Sequence, residues 1–349
     1  MTASDVAVDP DGLARHLRTH LPQFAGPFDV ERLGEGQSCL TFLVRGEGWQ
    51  IVLRRPPRGD LPPTAFDVSR EYRVMRALAE GEAPVPVPQA LALCDDRSVI
   101  GAPFYLMSAV AGVVVRGEVP PELSSLEDRR RMAQQLVDTL VALHRVDYRA
   151  IGLHGFGKPD GYLDRQLRRM GQLWDLARFR DVPAIDRVGA WLRERVPGGS
   201  DAAIVHGDYK LDNVMFGPLG PARLVAVMDW EMSTLGDPLA DLGWLLYFWR
   251  DPGDASLGLR VASVTDQAGF PRRREILESY AEGTGWQIDS ERVGWYMALA
   301  GWKIAIIMEG SYRRFLAGIG DHPAFAQLDQ AVPALAGRAL RCAEGDLPI

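Results

Sequence analysis

The sequence predicts an α+β fold with two lobes: a small antiparallel sheet with one main helix, then a larger and mostly helical lobe. Three observations lead to this prediction. The chain has 349 residues, more than a single hydrophobic core usually holds. Short apolar or alternating runs separated by glycine and proline fill its first third, whereas long runs with helical periodicity follow. The composition, 47% hydrophobic and 24% charged, is typical of globular proteins.

The first lobe is predicted to cover residues 1–108. Leu13, Leu17 and Leu21 recur at helical spacing, so a short amphipathic helix opens the chain. Residues 66–80 place apolar side chains on one face and predict the main helix of this lobe. Strand patterns cover residues 28–33, 40–44, 49–53 and two segments of 99–110 that are separated by a turn at 101–103.

The second lobe is predicted to cover residues 109–349, with the junction near 107–112. The helix at 127–146 has the clearest periodicity, because Met132, Leu136 and Leu140 lie on one stripe. Two short strands follow, one ending near residue 205 and one at 224–228. The other predicted helices cover residues 161–178, 185–195, 238–249, 273–282 and 290–317.

The overall composition argues against several classes of function. A net charge of −7 disfavours nucleic acid or an anionic membrane as the main partner. Cys39, Cys94 and Cys342 lack the spacing of metal ligands, which predicts reduced thiols in a cytoplasmic protein. The N-terminus has no apolar segment typical of a secretory signal, and the longest apolar run, 295–308, is interrupted by Lys303 and too short to span a bilayer. The oligomeric state is not specified by these features.

One motif carries the clearest chemistry: His206-Gly207-Asp208-Tyr209-Lys210-Leu211-Asp212-Asn213. Phosphoryl transfer from ATP requires a carboxylate that orients the attacking hydroxyl, and an amide oxygen with a second carboxylate that hold Mg²⁺. Asp208 and Asn213 have the H-x-D-x-x-x-x-N spacing of a kinase catalytic loop. Asp229 follows the apolar run 224–228, which is typical of a buried strand. The three residues therefore predict a site for ATP and Mg²⁺.

Lys210 helps to separate this interpretation from a simpler one, in which Asp208 and Asn213 belong to an ordinary polar turn. Lysine is rare in the chain, since only Lys158, Lys210 and Lys303 occur among 39 basic residues. A lysine retained in an arginine-rich chain indicates a position that requires a compact point charge. We therefore favour phosphoryl transfer over turn chemistry.

These residues resemble the aminoglycoside phosphotransferase family, whose fold is similar to that of protein kinases. Within it, residues 10–335 resemble the subgroup related to the kinase-like domain of acyl-CoA dehydrogenase fusion proteins. The segments that carry the second resemblance are Val52-Leu53-Arg54-Arg55-Pro56-Pro57, Ile100 to Met107, Leu143 to Asp147, Ile151 to Leu153, Met228 to Glu231 and Gly236 to Leu242. The resemblance implies a two-lobed protein-kinase-like fold and a small-molecule kinase that uses ATP and Mg²⁺.

The resemblance also implies catalytic roles for individual residues. Asp208 would be the catalytic base that orients the acceptor hydroxyl. Lys210 would lie near the transferred phosphoryl group. Asn213 and Asp229 would coordinate Mg²⁺. His206 is expected to fix the loop through hydrogen bonds and not to transfer protons, because phosphoryl transfer depends mostly on positioning and electrostatics.

The resemblance places the nucleotide mostly on the first lobe. Arg54, at the end of the third strand, would bind ATP phosphate and pair with Glu71 on the main helix. The backbone from Met107 through Ala109 to Val110 would contact the adenine ring.

A glycine-containing turn between the first two strands supplies further candidates. Gly34 and Gly36 allow backbone amides to approach phosphate, and Ser38 completes the predicted nucleotide-binding set. A G-x-G pair in a hairpin is also compatible with a simple turn that has no ligand.

Arg54 departs from the protein-kinase pattern, in which the third strand ends in lysine. A guanidinium still binds phosphate, but it is not equivalent to an ammonium group. Arg55 is a competing candidate, although strand alternation directs it to the opposite face. The arginine leaves a second hypothesis open, a regulatory pseudokinase that binds nucleotide without useful turnover.

Several other residues have structural interpretations. We expect His144 to be a core histidine and Asp241 to cap a helix or brace the catalytic loop. Glu231 is expected to face either Mg²⁺ or the acceptor. Trp244, Trp249, Trp295 and Trp302 are expected mostly in the core, with one or two lining an acceptor pocket.

The acceptor is predicted to be a hydroxyl group of a small molecule. From residue 241 onward the chain has 14 acidic and 11 basic residues, an imbalance too small to require a polycationic substrate. The subgroup resemblance points to hydroxy acids or hydroxyacyl-CoA thioesters, with phosphorylation of an aminoglycoside or another antibiotic as the alternative. The arginine clusters 272–274 and 313–314 are predicted to be solvated, and they would also suit an anionic acceptor.

Overall fold

The computed structural model of the protein describes residues 8–34, 39–57, 67–199, 201–258, 264–319, 323–347 and 349. Within this part of the chain, the first lobe contains a five-stranded antiparallel sheet with the strand order β1-β2-β3-β5-β4. Its elements are α1 (Pro10–His20), β1 (Phe28–Leu33), β2 (Leu40–Gly46), β3 (Trp49–Arg55), α2 (Val68–Glu80), β4 (Ala90–Cys94), α3 (Arg97–Ile100) and β5 (Phe104–Ser108).

The alternation of side chains along β3 divides the sheet between two cores. Ile51 and Leu53 are buried in a cluster with Leu13 and Leu17, so α1 covers this face. On the other face, α2 packs against β4 and β5. Because Arg54 follows Leu53, its side chain lies on the α2 face, and Arg55 lies on the α1 face. The sheet thereby directs one arginine toward the second lobe.

One predicted strand is wrong. Residues around Val99 form the short helix α3, where Asp96 accepts a hydrogen bond from the backbone N–H of Ser98 at 2.8 Å and Gly101 ends the turn with φ = +84°. A capping aspartate and a left-handed glycine four to five residues apart favour one helical turn over an extended segment. The fourth strand instead forms at 90–94, where the sequence Ala-Leu-Ala-Leu-Cys gives little strand signal.

The second lobe is mostly helical, as predicted, and its longest helix has 27 residues. Its helices are α4 (Leu126–Arg145), α5 (Tyr162–Ala177), α6 (Pro183–Glu194), α7 (Leu239–Phe248), α8 (Arg273–Thr284), α9 (Ser290–Leu316) and α10 (Leu328–Glu344). Helix α9 packs against α5, α6, α7 and α10. Helix α10 was not predicted. It contains Pro333, a residue type that disfavours a helix interior, yet its apolar residues are buried against α9 and α6.

Among the described residues between α6 and α7 lie four short strands, two more than predicted. They form two antiparallel pairs, β6 (Ala203–Val205) with β9 (Thr234–Gly236), and β7 (Val214–Phe216) with β8 (Leu224–Val227). The loop 206–213 connects the first pair to the second. None of the helices in the described ranges combines the length and the apolar character needed to cross a membrane.

Candidate active site

The two strand pairs bring the predicted metal ligands to neighbouring strand ends. Asn213 immediately precedes β7, and Asp229 lies two residues after β8. The backbone N–H of Met228 donates a hydrogen bond of 2.9 Å to the carbonyl oxygen of Asn213. This bond extends the ladder past the strands, so Asn213 and Asp229 are held on adjacent segments although 16 positions separate them in the sequence.

Asp241, on α7, braces the start of the catalytic loop. Its buried carboxylate accepts hydrogen bonds from the backbone N–H groups of His206 at 2.6 Å and Gly207 at 2.8 Å. Nε2 of His144 lies 3.3 Å from the same carboxylate, and its Nδ1 lies 2.6 Å from the hydroxyl of Tyr280. Asp241, which was predicted to brace the loop, and His144, which was predicted to be a core histidine, therefore belong to one buried hydrogen-bond network.

Gly207 has a backbone conformation that only glycine adopts without strain, with φ = +88°. A Cβ atom at this position would lie 2.7 Å from the carbonyl oxygen of Met232. The loop thus depends on glycine both for its left-handed turn and for its close approach to the segment that follows Asp229.

His206 connects the catalytic loop to the segment that carries Asp229. Its Nδ1 accepts a 3.2 Å hydrogen bond from the backbone N–H of Asp208, so its proton resides on Nε2. Nε2 in turn donates to the carbonyl oxygen of Met228 at 2.8 Å. Both ring nitrogens are therefore used for positioning, in agreement with the structural role predicted for His206.

Asp208 is surrounded by hydrogen-bond donors. Its Oδ2 accepts from Nζ of Lys210 and from Nδ2 of Asn213, both at 2.6 Å, and its Oδ1 accepts from Nε1 of Trp244 at 2.7 Å. A carboxylate oxygen accepts about two hydrogen bonds. Oδ2 is therefore fully used, whereas Oδ1 retains one acceptor position for a substrate hydroxyl.

The electrostatics of the loop keep Lys210 charged. Burial lowers the pKa of this ammonium, but the adjacent carboxylates of Asp208 and Asp212 outweigh burial and raise the pKa above its ordinary value. A lysine cation next to the carboxylate of Asp208 suits a position where negative charge on phosphate must be offset.

Arg54 links the two lobes through a cluster of carboxylates. Its Nε forms an ion pair with Glu71 at 3.1 Å, and its Nη2 lies 2.6 Å from Oδ1 of Asp229 and 3.6 Å from Glu231. Arg55 instead donates to the carbonyl oxygens of Pro56 and Ile100. The structure thus places Arg54, and not Arg55, in the site.

The Arg54 cluster has more negative than positive groups. Burial raises the pKa of Glu71 to about 8, because the like charges of Asp229 and Glu231 add to burial and together outweigh the favourable effect of Arg54. The carboxylates of Glu71 and Asp229 raise the pKa of Arg54 despite its burial. A further cation at this point would relieve the excess of negative charge.

The oxygen atoms that remain available fit Mg²⁺. Nδ2 of Asn213 donates hydrogen bonds to the backbone carbonyl oxygen and to Oδ2 of Asp208, so the amide oxygen of Asn213 remains available to a cation. The hydrogen bond from Arg54 to Asp229 uses Oδ1, which leaves Oδ2. Carboxylate and amide oxygens are the ligands that Mg²⁺ prefers.

Asp229 itself adopts the left-handed conformation, with φ = +64°. This conformation is uncommon for a residue other than glycine, although aspartate tolerates it better than most. Backbone strain of this kind costs about 1–3 kcal/mol and is concentrated at functional sites. The turn directs the carboxylate toward Arg54 directly after a buried strand.

A second group of possible metal ligands belongs to the same cluster. Within the described residues, the side chains of Cys39, Glu71 and Glu231 bring one donor atom each within 4.8 Å of one another. The guanidinium of Arg54 already lies between the two carboxylates. Burial also raises the pKa of the Cys39 thiol to about 12, so it is not a thiolate ligand at neutral pH.

The predicted nucleotide residues are only partly connected to this network. Gly34 has φ = +67° and directly follows β1, whereas Gly36 and Ser38 lie outside the described residues. Met107 is half-buried on β5, and Ala109 is half-buried in the connection to the second lobe. Direct contacts join Arg54, Glu71 and Asp229 in one group and Asp208, Lys210 and Asn213 in another.

The family of the chain follows from a match along most of its length. The sequence model of the phosphotransferase enzyme family matches residues 29–276, most of the chain. The chain belongs to this family. The similarity to aminoglycoside phosphotransferases expected from the sequence motifs is therefore confirmed.

Relatives of this phosphotransferase include much longer proteins. It is 36% identical over 95% of its length to acyl-CoA dehydrogenase family member 11 of Gallus gallus, but it spans only 43% of that protein. It is also 35% identical to a Ralstonia eutropha protein classed with the aminoglycoside phosphotransferases, whose solved structure superimposes with a TM-score of 0.81 over 97% of this chain and 99% of the other. Both the family and the subgroup predicted from sequence are thus found among its relatives.

A more distant structure confirms the fold. Spectinomycin phosphotransferase, solved with ADP and spectinomycin, is 11% identical and has a TM-score of 0.61 over 95% of this chain and 98% of its own. The two-lobed protein-kinase-like fold predicted from the sequence is therefore correct.

Two features of the phosphotransferase site were not predicted. The hydrogen bond from Trp244 to Asp208 has no local sequence signal, because it depends on how α7 is rotated against the loop. The arginines at 272–274 were expected to be solvated, but Arg273 is fully buried and paired with Asp251 and Asp254. This residue stabilises the segment before α8 and is not available to an anionic acceptor.

Proposed function

We propose that this phosphotransferase transfers the γ-phosphoryl group of ATP to a hydroxyl group of a small hydroxy acid or hydroxyacyl-CoA. One observation carries the proposal: the carboxylate of Asp208 has a single acceptor position left on Oδ1, while Lys210 and Asn213 fix Oδ2. This arrangement suits a group that orients one hydroxyl and then takes its proton.

In the proposed reaction, the acceptor hydroxyl donates to Oδ1 of Asp208, and its oxygen attacks the γ-phosphorus while ADP leaves. The proton of the hydroxyl passes to Asp208 late in the transfer, because the transition state is loose and the oxygen becomes acidic only as the new bond forms. Lys210 and Arg54 offset the negative charge on phosphate oxygens. Asn213 and Asp229 would hold Mg²⁺, which offsets charge on the phosphates when it is bound.

We propose that residues 1–108 form the nucleotide-binding lobe and residues 109–349 the catalytic and acceptor-binding lobe. Gly34, Gly36 and Ser38 would contact the phosphates, and the backbone of Met107 and Ala109 would contact adenine. The ADP complex of spectinomycin phosphotransferase supports nucleotide binding in this fold. In the described structure, Arg54 connects the lobes at the site.

The acceptor class rests on the relatives and on charge. The relative from Gallus gallus is named as a member of an acyl-CoA dehydrogenase family, and this name indicates acyl thioesters as its substrates. The name therefore supports an acyl acceptor for the phosphotransferase. We propose that neither nucleic acid nor a membrane is a main partner, because the net charge of −7 disfavours anionic partners. The three cysteines Cys39, Cys94 and Cys342 are unpaired, which supports a reducing, cytoplasmic location.

Asp208→Asn tests the proposal. The amide cannot accept the hydroxyl proton, so kcat should fall by about 10²- to 10⁴-fold. ATP consumption with Mg²⁺ should be measured with a panel of hydroxy acids, hydroxyacyl-CoAs and aminoglycosides. Nucleotide binding is measured by thermal stabilisation, and the stabilisation of the variant should remain near that of the unmodified protein. Asp138→Asn, at an exposed position on α4, is the matched control. Turnover that survives in Asp208→Asn contradicts the assigned role.

One observation favours a second candidate, the nucleotide-binding pseudokinase. Oδ1 of Asp229 is bonded to Arg54 at 2.6 Å, so a carboxylate needed for Mg²⁺ already has a cationic partner. Nucleotide that stabilises the protein while none of the panel is phosphorylated would favour this candidate. Phosphorylation of aminoglycosides alone would instead favour an antibiotic phosphotransferase.

A further inference from the structure

A cavity of about 360 Å³, the α4–α8 cleft, lies between helices α4 and α8 and the loop that precedes α8. This volume is within the range of sites that bind small molecules. Ala133 and Val137 of α4 and Ile276 of α8 form its apolar floor, and Phe270 of the loop forms an apolar wall. None of the described residues that line the cleft belongs to the catalytic loop or to the Arg54 cluster. The cleft is therefore separate from the candidate active site.

The loop that closes the α4–α8 cleft is held by contacts on both sides. Arg129 of α4 donates a hydrogen bond of 2.8 Å to the carbonyl oxygen of Ala268, at one end of this loop. At the other end, the ring of Phe270 packs edge-on against Trp249, which directly follows α7. The indole of Trp249 also donates to the carbonyl oxygen of Pro271 at 2.9 Å. Because these contacts form the cleft in advance, a ligand would bind with little cost of ordering.

The rim of the α4–α8 cleft has two charged residues, and one of them is already used. Oε2 of Glu275 accepts the backbone N–H of Arg272 at 2.8 Å in the first turn of α8, where the helix dipole also offsets negative charge. Arg130 is exposed, and within the described ranges its guanidinium forms no hydrogen bond or ion pair. A guanidinium suits the planar geometry of a carboxylate. An apolar floor below an available guanidinium therefore fits an apolar carboxylic acid.

Both helices of the α4–α8 cleft contact the network that braces the catalytic loop. The hydroxyl of Tyr280 on α8 lies 2.6 Å from Nδ1 of His144 on α4, and Nε2 of His144 lies 3.3 Å from the carboxylate of Asp241. The carbonyl oxygen of Leu136, also on α4, accepts a hydrogen bond of 2.8 Å from the hydroxyl of Tyr209 in the catalytic loop. The separation of α4 and α8 therefore affects how firmly the loop is held.

We propose that the α4–α8 cleft is a regulatory site for a small apolar carboxylic acid. The carboxylate pairs with Arg130 at the rim, and the hydrocarbon part lies on the apolar floor. A ligand that contacts both helices favours the separation at which Tyr280 and His144 are bonded, so it stabilises the braced conformation of the catalytic loop. This inference goes beyond the proposed function and does not depend on the identity of the phosphoryl acceptor.

Binding of matched acids and alcohols tests the class of ligand. The probes are octanoate with 1-octanol and 4-phenylbutanoate with 4-phenyl-1-butanol, each titrated calorimetrically into the full chain. At least one acid should bind about 3- to 10-fold more tightly than its alcohol, because an exposed guanidinium contributes a hydrogen bond to a charged group that solvent partly screens. The pair with the tighter acid shows whether the site prefers an aliphatic or an aromatic body.

Variants at the rim separate recognition of the carboxylate from general attraction of anions. Arg130→Gln should remove the preference for the acid and leave binding of the alcohol unchanged. Arg131→Gln is the matched control, since this exposed arginine of the same helix pairs with Glu127 and does not line the cleft. Ser279→Trp should block the acid and the alcohol alike, because an indole at this half-buried rim position enters the cleft. All three positions reach the surface, so these variants should fold.

Hydrogen exchange of the catalytic loop tests the regulatory role. Saturating amounts of the preferred acid should slow exchange of the backbone amides of His206 and Gly207, whose N–H groups donate to Asp241. The same slowing should occur in Arg131→Gln and should be absent in Ser279→Trp. This measurement requires neither nucleotide nor turnover, so it remains valid if the proposed reaction is wrong.

Two results overturn the ligand assignment. In the first, neither acid binds more tightly than its alcohol. In the second, Arg130→Gln and Arg131→Gln weaken binding of the acid equally, which indicates attraction by the surface as a whole. The regulatory role is overturned if an acid binds in the cleft and exchange at His206 and Gly207 stays unchanged.

Discussion

The indole N–H of Trp244 donates a 2.7 Å hydrogen bond to Oδ1 of Asp208. This bond determines which part of the carboxylate remains for the acceptor. Because Lys210 and Asn213 both bind Oδ2, the proposed reaction has the acceptor hydroxyl approach Oδ1 beside the indole. Trp244 is therefore expected to fix the rotation of Asp208 and to form one wall of the acceptor site.

Trp244→Phe should lower kcat by about 10-fold, because a hydrogen bond to a charged group is worth about 1.5–3 kcal/mol. The KM for ATP should stay nearly unchanged, since the indole does not contact the Arg54 cluster. Steady-state kinetics with the best acceptor of the panel measures both values. Trp249→Phe is the control: its indole donates to the carbonyl oxygen of Pro271 at 2.9 Å, away from Asp208. Equal kcat losses in both variants would show that Trp244 acts only through packing.

Asp241→Asn should reduce both stability and kcat. The buried carboxylate accepts two backbone N–H groups of the catalytic loop, and an amide presents a donor to at least one of them. The expected loss is about 2–4 kcal/mol in the free energy of unfolding, because a buried donor becomes unsatisfied. Urea unfolding and kinetics of the same preparation provide the measurement.

Asp237→Asn separates these two effects. Asp237 is also buried, but it accepts from the hydroxyl of Tyr296 at 2.7 Å and the backbone of Leu239, neither of which belongs to the catalytic loop. The Asp237→Asn variant should be less stable than the unmodified protein, whereas its kcat should be largely retained. A brace role for Asp241 is contradicted if the two variants have the same ratio of kcat loss to stability loss.

The parts of the site that were predictable are local in sequence. The spacing of Asp208 and Asn213 and the apolar run before Asp229 specify a loop and a strand, and the antiparallel pairing then brings them together. Strand alternation was sufficient to choose Arg54 over Arg55, since period-two geometry assigns their faces without tertiary information.

The parts that were missed depend on tertiary packing. Trp244 and Lys303 are set within apolar helices, where periodicity indicates burial but not which neighbour each polar atom meets. Arg273 belongs to a run of three arginines that predicts solvation, yet it is buried because Asp251 and Asp254 supply carboxylates from a distant loop. The terminal helix α10 was missed for a related reason, since its burial against α9 outweighs the effect of Pro333.

Arg54→Lys tests the interlobe cluster. The guanidinium reaches Glu71 through Nε and Asp229 through Nη2, whereas a lysine has a single nitrogen and would leave one carboxylate without its partner. We expect a loss of about 1–3 kcal/mol in the free energy of unfolding and a weaker affinity for ATP. Nucleotide titration and urea unfolding check these outcomes.

Arg55→Lys is the comparison for this variant, because Arg55 lies on the opposite face of β3 and bonds backbone carbonyls. The Arg55→Lys variant should be less stable than the unmodified protein, and its affinity for ATP should be unchanged. If Arg54→Lys binds ATP as tightly as the unmodified protein, Arg54 does not contact the nucleotide phosphates.

The buried ammonium of Lys303 should make stability depend on pH. Burial lowers its pKa from 10.5 to about 8, with Arg169 acting in the same direction and Asp241 and Asp208 opposing it. Between pH 8 and 10.5 the unfolded chain therefore holds one more proton on this residue than the folded chain does. Since stability rises with pH wherever the unfolded state binds more protons, the free energy of unfolding should increase through this window.

Urea unfolding of the unmodified protein and of Lys303→Met at pH 7.5 and 9.5 measures this effect. The stability of the unmodified protein relative to the variant should increase by about 2 kcal/mol over this interval, because methionine does not titrate. Lys158→Met, at an exposed lysine, should show no such change relative to the unmodified protein. The difference in the free energy of unfolding between the unmodified protein and Lys303→Met could instead stay constant or decrease as the pH rises. This result would mean that the ammonium of Lys303 is well solvated or paired in the folded protein.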